Sequence, residues 1–597
     1  MFRILAILFA LFLGFLVLFL PFAKLENWES KGELRICLGT EPKTLDPAIA
    51  TGVLAIQYIQ SLQEGLITYD PKDLTKPIAG LAEKWEVSKD GKTYRFFLRK
   101  NARWSNGEPL TAWDFYYSWK RILDLEVDCE YVYMLYYIRN SKKYNYQQMA
   151  KLGLRKWKET DEKEKGEILE NSVSKGLFRE LAPKLEELGR KEKNPKIRKR
   201  LMELARQAAQ KPKALSFERV GVHVESPHIL VVQLESKTPY ILDIFGFPTL
   251  YPVPIKAVRK YGGNWTKVNH ILSCGAYLLE KWIPHYIIVL KKNPYYYNAK
   301  AVKLRQIVCF SIDKPTTALN YYETGVLDFL DKSVIPGDFV ESLLSRPDFI
   351  RSSSFGTSFL RFNVTKPPFD DPRVRKAFTM AINRKEIINA LRGGEMASRV
   401  LVPPILDYPE YQPQGLPYNP EKAKKLLKEA WANKKEIPKI TFLSSSGGAK
   451  SKDIFLVLRN QWKNVLGVEV EPKFQEWQVY LDSLSNKKYN IAFGAWIGDY
   501  GDPMTFLDMW TSGNGNNRTG WRNPEYDQMI QRAGEILEHK KRMKLLGKAE
   551  KTILEDHCII APLYFRASYF MKKDYVKGFR PNVMGRILLK YLWVQKK

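Results

Sequence analysis

The sequence predicts an α/β protein built from more than one lobe, on three observations. At 597 residues the chain exceeds the roughly 250–300 residues that a single hydrophobic core organises. In the second half, strand-like apolar runs at 440–443, 468–470 and 491–496 alternate with helices that open on Asp371-Pro372 and Asn419-Pro420, as in layered strand-and-helix lobes. In the first half, a period-two strand follows a tight turn and runs into a capped helix.

Each element has a local cause. Leu34-Arg35-Ile36-Cys37-Leu38 reads as a short buried strand. Lys89-Asp90-Gly91-Lys92 is a hairpin turn because Asp-Gly tolerates positive φ. The strand after it places Tyr94, Phe96 and Leu98 on one face and Arg95, Phe97 and Arg99 on the other. Thr111 and Asp114 have capping-box spacing, and Phe115, Trp119 and Ile122 give the helix behind them an apolar stripe. Asp371 as N-cap and Pro372 at the first helical position precede Val374, Ala377, Phe378, Ala381 and Ile382. Asn419 and Pro420 repeat the device before Ala423, Leu426, Leu427 and Ala430.

Residues 141–212 differ in composition. They are rich in Lys, Glu, Leu and Ala, and predict two or three exposed helices interrupted at Pro183 and Pro195 and inserted between sheet-forming segments. Residues 141–213 hold 21 Lys/Arg against 11 Asp/Glu, a net +10 within the chain's +30. The remaining charge is spread out, with neither aromatic-interleaved basic clusters nor a nucleic-acid motif. Solvated surface accounts for it, and no nucleic-acid partner is expected.

Residues 1–24 read as a targeting element. Arg3 precedes an apolar run over residues 4–20, closed by Pro21 and Lys24. The run is longer than the usual ~7–15 residues of a signal-peptide core and just reaches a bilayer span. A cleaved signal and an N-terminal membrane anchor both fit, and either exports the bulk of the chain. The five cysteines, Cys37, Cys129, Cys274, Cys309 and Cys558, include no C-x-x-C pair, so buried thiols are expected rather than a disulfide framework or zinc ribbon. The six histidines show no metal-ligand spacing. Residues 447–451 resemble a phosphate loop only superficially, with Ser444 and Ala449 where glycines belong. No catalytic residue, metal or cofactor is expected.

Four segments in order carry a family resemblance. Residues 81–99 are followed by Trp104-Ser105-Asn106-Gly107-Glu108-Pro109-Leu110-Thr111-Ala112-Trp113-Asp114-Phe115. Residues 269–277 lead to Asn293-Pro294-Tyr295-Tyr296. Then come Phe369-Asp370-Asp371-Pro372-Arg373-Val374-Arg375-Lys376-Ala377-Phe378 and Gly494-Ala495-Trp496-Ile497-Gly498-Asp499-Tyr500-Gly501-Asp502-Pro503. Together they closely resemble the peptide/nickel class of bacterial extracellular solute-binding proteins, in particular its oligopeptide-binding group. The resemblance implies a type II periplasmic-binding fold of three lobes, two of them closing over an extended peptide at a hinge. It also implies a monomer in or facing the periplasm that delivers short peptides to the permease subunits of an ABC importer.

On this reading the first lobe comprises 31–75, 215–310 and 565–597, the second 76–214, and the third 311–564. The lobes join by crossings at 309–313 and 561–565. Asp499 is expected to pair with the peptide amine, because a buried ammonium needs a carboxylate in place of water. Trp496 and Tyr500 would wall the pocket, Ala495 to Ile497 and Thr40 to Lys43 would offer backbone for an added strand, and Glu41 would assist the amine. Asp502 reads as a turn residue. Where close oligopeptide binders carry arginines for the peptide carboxylate this chain has Leu484 and Phe493, and Ser451 stands in place of a histidine, with Lys450 and Lys452 beside it. A cell-wall peptide, a dipeptide, a nickel chelate or haem remain alternative ligands, and a membrane-tethered scaffold using the basic insertion is the rival of another class.

Overall fold

Leu34, Ile36 and Cys37 are fully buried in the strand Glu33–Gly39, which pairs in parallel with Gln306–Ser311 on one side and Phe329–Leu330 on the other. A strand covered on both faces favours apolar residues at successive positions, and Arg35, between Leu34 and Ile36, pairs with Asp328 at 2.9 Å. It sits inside an eleven-stranded mixed sheet. From one edge the order is Val470–Gln475, Ile440–Ser445, Ile491–Ile497, Phe349–Phe362, Ile560–Lys572, Phe329–Leu330, Glu33–Gly39, Gln306–Ser311, Ile287–Lys292 and Tyr277–Ile283, with Met396–Ala397 attached to Ile560–Lys572. The computed structural model describes residues 32–595 apart from 71–72, 158–159, 406–407, 433–438, 446–448, 513 and 583. The leader expected at 1–24 therefore lies outside the described residues.

Two long antiparallel strands, Phe349–Phe362 and Ile560–Lys572, tie the halves of this sheet together. Their register runs from Phe349↔Met571 to Ser353↔Ala567, breaks, and resumes at Thr357↔Phe565. On one side of the break, Phe349 and Met571 belong to an apolar cluster with Val308, Phe310, Ile312 and Leu319. On the other, Leu360, Phe362, Ala561 and Leu563 belong to a separate cluster with Val374, Phe378 and Trp462. The ladder break is thus where one core ends and the next begins.

Of the segments read as crossings, Phe310 and Ile312 lie in the cluster of Cys37 and Val308, Cys309 lies in a third cluster with Leu34 and Ile36, and Ala561, Leu563 and Tyr564 lie in the cluster of Leu360 and Phe378. The cluster of Cys37 and Val308 also takes in Ala318, Tyr322, Val340 and Leu343.

A second sheet of four strands, in the order Ala82–Val87, Thr93–Leu98, Ile229–Gln233 and Val222–Ser226, packs with the helix Ala112–Leu123, and its apolar face is continuous with Phe359 and Trp510. Its local elements match their sequence signals. Gly91 has φ +69°, Tyr94, Phe96 and Leu98 face inward, and the Thr111 N–H donates to Asp114 Oδ2 at 2.8 Å in a capping box.

The insertion is better organised than its composition predicts. Among its described residues it holds four α-helices, Ser141–Lys156, Glu162–Ile168, Ala182–Lys191 and Pro195–Ala209. Pro183 and Pro195 lie in the first turns of their helices and start them rather than interrupt them. The inward faces bury Leu154, Phe178, Leu185, Leu201 and Leu204 in a core separate from all others, so these helices are amphipathic rather than merely exposed. The first turn instead belongs to the neighbouring lobe. Tyr144 packs edge-on against Phe217 at 5.4 Å, and Leu215 N donates to Gln147 Oε1 at 2.8 Å, so the chain leaves and returns at adjacent points. Excising residues 148–213 and closing the gap with a short linker is therefore expected to leave the main unfolding transition within about 4 °C, or ~1 kcal/mol. Loss of that transition in calorimetry would show that the two cores fold as one.

Candidate functional site

The strand Ile491–Ile497 presents an unusual edge. On one side it pairs antiparallel with Gly356 to Phe362 along its whole length. On the other, Ile440–Ser445 registers only with Ile491 and Ala492. From Phe493 to Ile497 that second edge has no ladder partner among the described residues, which suits addition of an extended peptide strand. Ala495 is half-buried and Ile497 exposed. Trp496 is half-buried, packs against the largest apolar cluster, and has a buried indole N–H without an acceptor.

Asp499 follows directly. Its N–H donates to Thr505 Oγ1 at 3.1 Å, and the Gly498 N–H just before it donates to Phe355 O at 2.8 Å inside the ladder break. Three parts of the chain meet around this segment. The Tyr133 hydroxyl, from the turn Val132–Tyr137, donates to Oδ2 at 3.4 Å. Arg586, from the C-terminal segment anchored where Ile587 N donates to Gln57 Oε1 at 2.9 Å, donates through Nη2 to Asp499 O at 3.3 Å. Tyr500 stacks on Tyr240 with rings 5.3 Å apart and 5° from parallel, joining this segment to the four-stranded lobe.

The electrostatics favour a cation. Burial raises the Asp499 carboxyl to about 6, against the charge of Arg586 and the hydroxyl of Tyr133, which lower it. Burial, then the charges of Asp499 and Asp502, raise Asp508 to about 7. Burial, then Asp502, raises Asp243 to about 7. Only Asp502 is fully paired: Arg542 Nη1 and Nη2 each reach one of its oxygens at 2.6 Å. Asp502 thus takes Arg542, and Asp499 and Asp243 both lie in the field of Arg586. A positive group entering beside Asp499 replaces the solvation that burial removed.

The expected site residues divide into two groups. Ala495, Trp496, Ile497, Asp499 and Tyr500 are contiguous and stand together. Glu41 accepts from Trp282 Nε1 at 3.3 Å and from His285 N at 2.6 Å, which ties it to the hairpin of Tyr277–Ile283 and Ile287–Lys292. Thr40 and Lys43 are exposed beside it. No contact among the described residues links this second group to Asp499. Asp502 does make a turn bond, from Met504 N at 2.9 Å, but also carries the buried ion pair. Leu484 is buried against Tyr480 and Tyr489, Ser451 is buried, Lys452 is exposed, and the side chain of Lys450 lies outside the described residues. All five cysteines are buried and unpaired. Sequence reasoning missed Tyr133, Asp508, Arg542 and Arg586. Of these only Tyr133 left a trace, as part of the aromatic run Tyr131 to Tyr137.

The chain matches known proteins along nearly its whole length. Residues 76–518 match bacterial extracellular solute-binding proteins, family 5 Middle. The dipeptide-binding protein DppE of Bacillus subtilis is 29% identical over 566 residues, covering 93% of this chain and 90% of that protein. The periplasmic oligopeptide-binding protein OppA of Salmonella typhimurium is 28% identical over 570 residues, covering 94% and 92%. Among solved structures, a periplasmic oligopeptide-binding protein of Borrelia burgdorferi superposes with a TM-score of 0.73 at 27% identity, over 95% of this chain and 100% of that one.

Proposed function

Because the chain belongs to the bacterial extracellular solute-binding proteins of family 5, we propose that it captures short peptides outside the inner membrane and hands them to the permease of an ABC importer. The relatives named above bind dipeptides and oligopeptides. The observation that carries the reading to this chain is the Asp499 carboxylate, which lies where three chain regions meet and, although in the field of Arg586, makes no ion pair among the described residues. An ammonium at the end of a peptide supplies that charge, and the unpaired edge from Phe493 to Ile497 binds backbone without reading side chains. Trp496 and Tyr500 wall the pocket, and the thresholds at Thr40, Glu41 and Lys43 contribute when the lobes close.

The bound state is the closed one, and closure converts ligand affinity into a shape the permease recognises. The protein acts as a monomer without cofactor, metal or nucleic acid, and leaves its peptide intact. Its leader exports it, with the chain either released or tethered by the apolar segment. Titrating tryptophan fluorescence with di- to pentapeptides is expected to show saturable binding, and mass spectrometry of the recovered peptide is expected to show no cleavage. Silence across the whole series, with binding only to haem or a nickel chelate, would replace the peptide reading.

A further inference from the structure

The charge of the insertion is segregated along its sequence. Residues 141–157 hold five Lys/Arg and no Asp/Glu, and residues 195–213 hold seven against Glu203 alone. Residues 158–194, between them, hold nine Lys/Arg against ten Asp/Glu. The excess therefore sits on the first and last helices, and residues 178–179 bridge the two. Lys151 lies over the Phe178 ring at 5.3 Å, and Arg179 donates through Nε to Lys211 O at 3.2 Å.

In the helix Pro195–Ala209, burial of Ile197, Leu201, Leu204, Ala205 and Ala208 turns Lys196, Lys199, Glu203, Arg206 and Gln207 outward, and all five are exposed. Arg200 binds Glu170 at 2.7 Å and Glu203 at 3.0 Å, so the one acid on this face is already paired. Lys196, Lys199 and Arg206 have no ion-pair partner among the described residues, and they span ten positions, about 15 Å of helix. Helix stability does not account for these placements. The N-terminal end of a helix is its positive pole, where acids are favourable and cations are not. Both charged helices nonetheless have no acid in the first turn, where one carries Lys142 and Lys143 and the other Lys196 and Arg198. The helix Glu162–Ile168 between them opens on Glu162 and Glu164 in the ordinary way. The helix Ser141–Lys156 adds an apolar contact, since Leu152 is 37% exposed with Arg155 and Lys156 three and four positions on, both exposed. Cations around an outward leucine suit the boundary between headgroups and acyl chains.

We propose that the insertion docks the protein on an anionic phospholipid surface, with acidic headgroups serving as counterions to Lys196, Lys199 and Arg206. The inference goes beyond peptide capture and does not depend on it. A row of exposed cations along a helix suits charge spread over a surface, and each lysine or arginine held near an anionic leaflet adds to the attraction. The apolar run at residues 4–20 is long enough to reach across a bilayer, and on the anchor reading it keeps the rest of the chain beside one. The row lacks the aromatic interleaving of a nucleic-acid site. Because the insertion has a core of its own, it can meet the membrane without any change in the sheets that carry the candidate peptide site.

The test places an environment-sensitive dye on this face. The five native cysteines are buried, so labelling the full chain as Gln207→Cys reports from the helix Pro195–Ala209 alone. The labelled protein is titrated with phosphatidylcholine vesicles and with vesicles containing about 30% phosphatidylglycerol. The emission is expected to move to the blue with the anionic vesicles only, and to return at about 1 M salt, where the screening length is about 3 Å. Reversing Lys196→Glu, Lys199→Glu and Arg206→Glu together is expected to raise the half-saturating lipid concentration at least tenfold. All three side chains are exposed, so the variant is expected to melt at the wild-type temperature; should it melt lower, the same three positions as glutamine are held to the same criterion. An equal response to neutral and anionic vesicles overturns the inference, because the apolar segment alone would then explain it. So does an unchanged half-saturation in the triple variant. A response to soluble polyglutamate with none to anionic vesicles also overturns it, in favour of an acidic protein partner.

Discussion

Replacing Asp499 with alanine is expected to weaken binding of free-amine peptides at least tenfold, about 1.4 kcal/mol, and to affect N-acetylated peptides much less. The difference isolates the charge, because both ligands keep the same backbone on the strand edge. The acidity of the group gives the prediction a second axis. Burial holds the carboxyl at about 6 in the peptide-free protein, whereas a peptide amine, with a pKa of about 8, stays protonated throughout the acid range. Acidification through about 6 therefore discharges only the protein side of the pair. Affinity should fall by up to about tenfold per pH unit below that point, and Asp499→Ala should be flat over the same range. The stability of the peptide-free protein runs the opposite way. Since the folded pKa is raised from 3.8 to about 6, the folded state holds more protons than the unfolded state between these values, and stability declines as pH rises through that window. Calorimetry from pH 4.5 to pH 7.5 reads both effects. Equal losses for free and acetylated peptides would remove Asp499 from the amine site.

The largest effect on folding is expected at Asp502. Its side chain and that of Arg542 are 10% and 3% exposed, and both terminal guanidinium nitrogens are committed to it, while Nε donates to Ala533 O. Asp502→Ala leaves a buried cation without its partner, beside Tyr240, whose ring lies 5.1 Å from it. Breaking such a pair from one side costs about 3–5 kcal/mol. Replacing both partners together, as Asp502→Leu with Arg542→Met, is expected to cost much less than the single change, because no uncompensated charge remains. Urea unfolding of the two variants decides the matter. A single-variant loss below about 1 kcal/mol would mean that water reaches Arg542.

What could be read in the sequence was local. The turn at Asp90-Gly91, the inward face of Tyr94, Phe96 and Leu98, the Thr111–Asp114 box and the Pro-initiated helices each depend on residues within four positions of one another, and the structure forms them as expected. Ala495 to Tyr500 likewise stand together because one strand and its following turn hold them. The rest depends on distance along the chain. Arg542 is 40 residues from Asp502, and Arg586 is 87 from Asp499. The insertion illustrates a different limit. Its leucines had helical spacing, but whether such a stripe faces solvent, a neighbour or its own partner helices is a tertiary fact, and here Leu185 and Leu201 face one another's helices.

The break in the long strand pair has one more implication. The residue whose carbonyl holds Gly498 is Phe355, which is fully buried against Phe506 at 4.9 Å and sits in the gap between Ser353 and Thr357. The ladder break and the loop that bears Asp499 thus share a hydrogen bond. On the proposed function, a solute drawn to Asp499 would pull on the joint between the two cores without any relay through the lobes.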